Sequence, residues 1–470
     1  MKGSTLERVE FRIPISQGAV MVFERVYRLT SIPALVFGFV MWVATAVHAQ
    51  SIGLLRDADI EHGLTQLAAP VLSAAGLNPK RVRILVVNQS TLNAFVIDQR
   101  TIFIHYGLIL KVKSPEMLQA VIAHEASHIT NGHLARRLEN LRSARSAAGL
   151  GAALALLAAA AGGGEAAAGI ALGTRSSAER NFLSHTRAEE SAADRTAATI
   201  LYQAGIPVQG MVDVHQLFAG QEVLSAANQD PYTRSHPLSR DRIRAAKAFV
   251  ASYGDRGAYD PQATYWLDRV QGKLSAFLRA PKWTMRRAAS DPFEDVKHMR
   301  EAVAYHRTNK LDKALASIDR ALRLRPQDGF YHELRGQFLM ENRRWSQALA
   351  TYNRAVQYVP RDPLILASLG RAQLASGQPS AALKTLERAR SIDFRNNALL
   401  RDMAQAYAKT GQNGMASLVT AERYALRGRL SDAGVHAKRA SGLLPNGSAA
   451  WRRAQDVLIA AERYEKRKKR

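Results

Sequence analysis

The chain has 470 residues, of which 47% are hydrophobic, and this is enough for two or three domains with separate cores. Its formal net charge of +25 makes nucleic acid or an anionic membrane surface the first partners to consider. We expect no nucleic acid partner, because the sequence has no zinc-finger spacing, no RNA-recognition signature and no row of stacking aromatic residues. The absence of cysteine excludes disulfides, thiolate metal ligands and thiol nucleophiles.

Residues 1–49 have the pattern of a secretory signal peptide. Arg25 and Arg28 precede an apolar run that ends in small residues at Val47 and Ala49, which predicts cleavage after Ala49. A retained membrane anchor is the alternative, although the run is short for a span of about 20 residues. We therefore expect a periplasmic protein, with contact to a membrane surface as a further option.

The segment from 50 to 290 predicts one α+β domain that is mainly α-helical. Apolar residues recur at helical spacing from Asp57 to Ala75. Three short runs rich in β-branched residues then predict a small sheet. These runs are 82–87, 94–97 and 101–105. Ser114 and Pro115 next supply an N-cap and a first-turn proline, which predict the start of another helix.

This second helix carries the motif His124-Glu-Ala-Ser-His128. Residues four apart lie on the same face of a helix, so His124 and His128 can both direct a ring nitrogen at one metal ion. Glu125 lies beside them as a general base. The motif predicts one zinc ion per chain, and such a site needs a third protein ligand and one position for water.

Two segments compete to supply the third ligand. A histidine ten residues after the first is excluded, because that position is Leu134. We expect His133 on the opposite face of the helix, as a surface residue or behind the ligands. Downstream, Glu190 and Asp194 lie one turn apart on a predicted helix. Glu190 would complete the ligand set, and Asp194 would accept the outer N–H of a ligand histidine.

Glu189 remains a competitor of Glu190 on residue type alone. The order of motifs adds to the argument: HEASH at 124–128, RAEESAAD at 187–194, SHPLSRDRI at 235–243, and a repeat array behind them. With the strand Asn93, Ala94, Phe95 and Val96 upstream, the chain resembles the BepA-like branch of the HtpX and CAAX-prenyl-protease (Ste24-type) metallopeptidase family. The resemblance implies a gluzincin-type fold with Glu190 as the third zinc ligand.

The same resemblance assigns further residues of the site. The strand 93–96 would form the edge of the cleft, where an extended peptide adds as a further strand. His236 would lie near the metal as a removable fourth ligand or a transition-state donor. Arg242 matches an arginine of the same loop. Asp98 and Gln99 stand where relatives often carry glycines, so the shape of the cleft rim is not predicted.

An Ala/Gly-rich segment at 147–173 separates the two metal-binding segments. Glycines at 162–164 and Glu165 divide it into two arms, neither of which is a clear membrane span. We expect a helical hairpin that packs over the cleft or touches a membrane surface; in integral members of the family, this region crosses the membrane.

Around Asp291 the sequence changes to a 34-residue period, the length of a tetratricopeptide repeat. Residues 291–470 therefore predict an all-α solenoid of helix pairs with a concave face for peptides or partner proteins. A capping helix from Ala449 and a basic tail from Lys466 to Arg470 complete the chain.

These patterns together predict a zinc-dependent endopeptidase of the cell envelope. Its substrates would be misfolded or stalled outer-membrane proteins, and the repeats would recruit substrates or the outer-membrane assembly machinery. The alternative is a periplasmic assembly factor or chaperone scaffold in which peptide binding matters more than proteolysis.

Overall fold

The computed structural model describes residues 53–136, 186–221, 229–236, 240–254 and 259–468. The predicted signal peptide at 1–49 and the predicted hairpin at 147–173 both lie outside the described residues. Within the described ranges, no helix combines the length and the apolar character that crossing a membrane requires.

The first half contains a four-stranded mixed sheet with the order β1-β2-β4-β3. Its strands are β1 (Leu54–Leu55), β2 (Arg83–Val87), β3 (Ala94–Asp98) and β4 (Thr101–His105). Strands β2 and β4 are parallel, whereas β1 pairs antiparallel with β2 and β3 pairs antiparallel with β4. Among the described strands, β3 pairs with β4 alone, so it forms the edge of the sheet.

Helices cover the sheet and form most of this half. In chain order they are α1 (Ala58–Ala74), α2 (Tyr106–Lys111), α3 (Pro115–Thr130), α4 (Arg187–Gln203), α5 (Gln209–Leu217), α6 (Pro231–Ser235), α7 (Arg240–Tyr253), α8 (Pro261–Leu278) and α9 (Pro281–Ala288). The core joins α1, α3 and α8 to one face of the sheet through Leu64, Val86, Ile104, Val121 and Val270. The predicted α+β class is confirmed.

Local sequence signals set the ends of these elements. The side chain of Asp57 accepts a hydrogen bond from the Ile60 amide, and that of Ser114 accepts one from the Met117 amide, as expected of N-caps. Proline at the first position of α3 needs no amide partner there. The predicted helix 57–75 and the three predicted strands agree with the structure to within a residue at each end.

The second half is a stack of antiparallel helix pairs. Its helices are α10 (Glu294–His306), α11 (Leu311–Leu324), α12 (Gly329–Glu341), α13 (Trp345–Tyr358), α14 (Pro363–Ala375), α15 (Pro379–Ile392), α16 (Asn397–Lys409), α17 (Asn413–Leu426), α18 (Leu430–Leu443) and α19 (Ala449–Lys468). Helices α11, α13, α15 and α17 begin 34 residues apart. The predicted solenoid is thus confirmed, although α19 continues through Lys468 into the predicted tail.

Small residues let the paired helices approach closely. A Cβ atom on Gly336 would lie 2.8 Å from the ring of Tyr352, and one on Gly370 would lie 2.5 Å from Leu386. A side chain at either crossing would therefore force its neighbour on the paired helix to move.

A buried ionic cluster connects the two halves; we call it the junction cluster, and it consists of Arg269, Lys273, Asp57, Asp59 and Asp328. Arg269 of α8 reaches Asp59 with Nε–Oδ1 at 2.8 Å and Asp328 with Nη1–Oδ2 at 2.6 Å. Lys273 Nζ lies 2.9 Å from Asp57 Oδ1. Burial opposes the charge on Arg269, but its neighbours, with Asp59 first and Asp328 among them, together outweigh burial and raise the pKa of the guanidinium well above its usual value.

Candidate metal centre

The centre is built first from one face of α3. His124 and His128 lie one turn apart, are 4% and 0% exposed, and bring their Nε2 atoms to 3.1 Å of each other. Helical periodicity sets this separation, as the motif predicted. Between them in sequence, Glu125 is fully buried.

The first turn of α4 adds a carboxylate from Glu190. Its Oε2 lies 3.4 Å from His124 Nε2, and its Oε1 lies 3.4 Å from His128 Nε2. The competing Glu189 is used differently, because its side chain accepts a hydrogen bond from the Thr186 amide in a capping box. Only Glu190 of this pair reaches the two histidines.

His236, which follows α6, brings a third imidazole to the same point. Its Nδ1 lies 3.1 Å from Glu190 Oε1 and 3.3 Å from His124 Nε2. Its Nε2 lies 3.2 Å from the carbonyl oxygen of Ala94 and 3.5 Å from Glu125 Oε1. The ring therefore connects the cluster both to the edge strand and to the candidate base.

The donor atoms of His124, His128, Glu190 and His236 fit a zinc ion. All four residues are buried, and their donor atoms lie within 4.8 Å of one another. A tetrahedral zinc ion with ligands at about 2.1 Å requires donors about 3.4 Å apart. The measured separations along this cluster run from 3.1 to 3.4 Å. Imidazole nitrogens with one carboxylate are also the donor types that zinc prefers.

Asp194 and Arg242 lie behind the ligands. Asp194 Oδ1 is 3.0 Å from His124 Nδ1, so the carboxylate can fix the tautomer in which Nε2 carries the free lone pair. Arg242 donates two hydrogen bonds, of 2.6 and 2.8 Å, to the carboxylate of Asp194. Its Nη1 also lies 2.7 Å from Glu190 Oε2. Arg242 is 4% exposed, so its contacts with both carboxylates are shielded from water.

Electrostatics favour positive charge where the donors meet. Burial acts to lower the pKa of His124, but Glu190 and Asp194 outweigh it and raise that pKa to about 10. Burial acts to raise the pKa of Glu190, but His236 and His124 outweigh it and hold that pKa well below its usual range. Burial lowers the pKa of His128, which keeps its ring neutral. A divalent cation supplies the charge that this environment favours.

The predicted edge strand lies beside the centre. Ala94, Phe95 and Val96 are buried in β3, and Asn93 immediately precedes it and accepts a hydrogen bond from Ser235 at 3.4 Å. The backbone of β3 is irregular after Val96, where the register with β4 shifts. The departure at 98–99 therefore falls where the ladder of hydrogen bonds is already interrupted.

Sequence reasoning allowed for His133 behind the ligands but assigned it to the wrong face of the helix, and it did not identify His215. The prediction that His133 lies on the opposite face of the helix is wrong, because α3 ends at Thr130 and Gly132 adopts φ +67°, which turns the chain back. His133 is 1% exposed, and its Nδ1 lies 2.8 Å from His128 Nδ1. His215 of α5 has Nε2 at 3.9 Å from Asp194 Oδ1, and burial lowers its pKa to about 4. A single histidine with no spacing relation to the motif gave no signal.

The comparison with protein families matches both halves of the chain. Residues 55–250 match peptidase family M48, and residues 339–406 match the tetratricopeptide repeat. The M48 segment includes His124, Glu125, His128, Glu190 and His236.

Curated relatives match over part of their length. A Vibrio cholerae protein named provisionally as a beta-barrel assembly-enhancing protease is 31% identical over 170 residues, which cover 36% of this chain and 34% of that protein. The Escherichia coli K12 beta-barrel assembly-enhancing protease is 27% identical over 199 residues, covering 41% and 39%. The matched region therefore spans about a third to two fifths of these relatives.

Among solved structures, MamA MSR-1 matches 34% of this chain and 95% of its own at 16% identity, with a TM-score of 0.30, which is too low to support a conclusion. The family matches agree with the metal centre and with the 34-residue helix pairs. The chain therefore carries a domain of peptidase family M48 followed by tetratricopeptide repeats.

Proposed function

We propose that this protein is a zinc-dependent endopeptidase of the cell envelope that degrades misfolded or stalled outer-membrane proteins. One observation carries the proposal: a fully buried glutamate, Glu125, adjoins four donors whose separations suit zinc. The scaffold alternative is not favoured, because the segment that matches peptidase family M48 contains all of the proposed ligands and the proposed base.

The proposed chemistry divides the roles among the residues of the centre. His124, His128 and Glu190 would hold the zinc ion, and His236 would be the removable fourth ligand. Bound zinc would polarise the scissile carbonyl and lower the pKa of water toward about 7. Glu125 would accept the proton of the attacking water and pass it to the leaving amine. Arg242 and Asp194 would hold Glu190 and His124 in place.

Substrate would enter as an extended segment along β3, the edge of the described sheet, and pair through main-chain hydrogen bonds. The carbonyl oxygen of Ala94 is held by His236 at 3.2 Å, so a rotation of that ring would free a main-chain acceptor beside the metal. This contact supports a resting state in which His236 occupies the main-chain acceptor of Ala94 until a substrate displaces it.

The repeats would recruit substrates or the outer-membrane assembly machinery. Helices α12, α13 and α14 of the repeats border a cavity of about 800 Å³, which is large enough for several peptide side chains. It is lined on one side by the start of the M48 domain at Leu54 and Leu55, and on the other by Met340, Trp345 and Arg371. The names of the relatives and the signal-like sequence at 1–49 support a periplasmic site of action.

The chemistry is tested by comparing wild type with Glu125→Gln. We expect both to contain one zinc per chain, while cleavage of casein and of an unfolded outer-membrane protein falls by about 10²–10⁴-fold in the variant. Glu116→Gln on the first turn of the same helix is the matched control and should cleave like wild type. Equal cleavage by Glu125→Gln and wild type would overturn the assignment.

The biological substrate can be identified by expressing a tagged Glu125→Gln variant in cells. This variant should still bind zinc and substrate proteins but should not cleave them. We expect it to trap envelope proteins. Met340→Glu in the cavity wall should reduce trapping without altering cleavage of a short peptide. Trapping of cytoplasmic proteins alone would contradict an envelope role.

A further inference from the structure

A second cavity, of about 680 Å³, lies at the far end of β3 from the metal centre. Five of its lining side chains are cationic. They are Lys80, Arg81, Arg83, Arg100 and Arg395. Asp98 and Asp393 are its anionic members. We call this site the basic cavity.

Both aspartates of the basic cavity are already engaged. Asp393 receives Arg56 Nη2 at 2.8 Å and Arg83 Nη1 at 3.1 Å. Asp98 accepts from the Arg100 amide at 2.7 Å and from the Thr101 hydroxyl at 3.3 Å. Positive charge is therefore in excess on the cavity wall.

The cations differ in how they face the cavity. Lys80, Arg81 and Arg100 are exposed. Arg395 is more enclosed: its buried Nε has no hydrogen-bond partner among the described residues, and its Nη1 lies as far as 4.0 Å from Asp98. A buried donor without an acceptor is costly, and an incoming anion would satisfy it.

The basic cavity lies at the opposite end of β3 from the metal centre. Strand β3 starts at Ala94, whose carbonyl meets His236, and ends at Asp98 in the cavity wall. Four strand positions correspond to about 13 Å. Leu134, shortly after the end of α3, also lines the cavity. The edge strand and the metal-bearing helix thus both lead from the metal centre to the cations.

We propose that the basic cavity is an anion-binding subsite of the peptidase, which takes an acidic side chain about four residues from the scissile bond of a substrate strand paired with β3. This inference rests on the proposed peptidase function. An acidic peptide is the favoured occupant, because the end of β3 itself forms part of the cavity wall. The exposed Phe394 (51%) and Ile392 (46%) also suit apolar neighbours of that acidic residue.

The test uses two peptide sets and two readouts. One set carries aspartate four residues before or after a fixed cleavage site, and the matched set carries asparagine. With the zinc-loaded full chain, we expect kcat/KM to be about three- to tenfold higher for an aspartate peptide, as suits two or three partly exposed ion pairs. The preference should shrink at 0.5 M salt because of screening. Whether the preference appears for aspartate before or after the cleavage site shows in which direction the substrate strand binds along β3.

The same peptides are titrated against zinc-loaded Glu125→Gln by fluorescence anisotropy, so that binding is measured without chemistry. Lys80→Glu/Arg100→Glu should reverse the preference, so that asparagine peptides bind better and react faster than aspartate peptides. Arg354→Gln, which removes an exposed guanidinium on α13, is the control and should keep the preference for aspartate.

The outcomes separate the two proposals. Cleavage of both peptide sets with equal kcat/KM would overturn the anionic subsite and leave the peptidase intact. Selective binding without any cleavage would overturn the peptidase and keep the subsite. Equal peptide binding together with Lys80- and Arg100-dependent sedimentation on phosphatidylglycerol vesicles would show a lipid site and overturn the peptide proposal.

Discussion

The metal centre and the junction cluster are both buried groups of charged side chains, yet they are constructed in opposite ways. In the junction cluster, Arg269 and Lys273 face three aspartates, so most charges meet an opposite charge from the chain. In the metal centre, three imidazoles and a carboxylate direct their lone pairs at one another. A buried cluster whose charges are paired by the protein's own side chains stabilises the fold. A buried cluster of atoms that can only ligate a metal indicates that a bound cation supplies the opposite charge.

Removing one donor from the metal centre should have the largest effect. We expect His128→Ala to lose its zinc and its peptidase activity. Only His124 and Glu190 would remain as permanent ligands, and the removable ligand His236 would not replace the missing imidazole. Zinc at about 1,000 times its Kd should stabilise wild type by about 4 kcal/mol and leave the variant unchanged. Zinc content and urea unfolding with and without zinc provide the measurements; a variant that still gains stability from zinc would contradict the ligand assignment.

The junction cluster should respond in stability and not in zinc content. Arg269→Met leaves Asp59 and Asp328 buried without their guanidinium, and breaking a buried pair in this way costs about 3–5 kcal/mol. Urea unfolding measures the loss. The matched control is Arg320→Met, which breaks the more exposed pair with Glu301 and should cost at most about 1 kcal/mol. Equal losses in both variants would show that the junction cluster contributes no more than a surface pair.

Weakening Asp194, which supports the metal centre from behind, should lower zinc affinity without abolishing zinc binding. Asp194→Asn keeps the shape of the side chain but weakens its hold on His124 and Arg242. Loss of such an outer partner typically lowers zinc affinity by about 10–100-fold. Competition with a chelator measures this affinity, and Asp241→Asn, an exposed aspartate on α7, is the control. Unchanged affinity in Asp194→Asn would exclude the proposed role.

A buried imidazole outside both clusters should give the smallest effect. Burial lowers the pKa of His105 from 6.5 to about 4. The unfolded chain therefore binds more protons than the folded chain between these values. The contribution of His105 to the free energy of unfolding is therefore largest above pH 6.5, and it falls by about 2 kcal/mol when the pH is lowered to 5. His105→Gln should remove this part of the pH dependence when unfolding is followed from pH 7.5 to pH 5, and an unchanged slope would contradict it.

Much of the centre could be predicted because local periodicity determines it. His124 and His128 are four residues apart on one helix, and so are Glu190 and Asp194, so their shared faces follow from helix geometry alone. The ends of α1 and of the strands were predictable for the same reason, since caps and β-branched runs act over a few residues.

What could not be predicted depends on contacts between distant segments. The pairing of Arg269 with Asp328 and of Arg56 with Asp393 joins residues that no local pattern relates. His133 was misplaced because the end of a helix shifts by a few residues with no strong signal, and one such shift changes the direction of every later side chain. The basic cavity likewise forms only when the loop at 392–395 meets the β3–β4 turn.

Asp393 also limits how the repeat array can change its length. This carboxylate follows α15 and holds Arg56 and Arg83 of the M48 domain, so its position along the solenoid is fixed by two distant partners. A helix pair inserted or deleted between α12 and Asp393 would carry the carboxylate away from both arginines. Among the described residues, no ion pair joins the helices after α16 to the M48 domain, so a helix pair added there would leave the contacts of Asp393 intact.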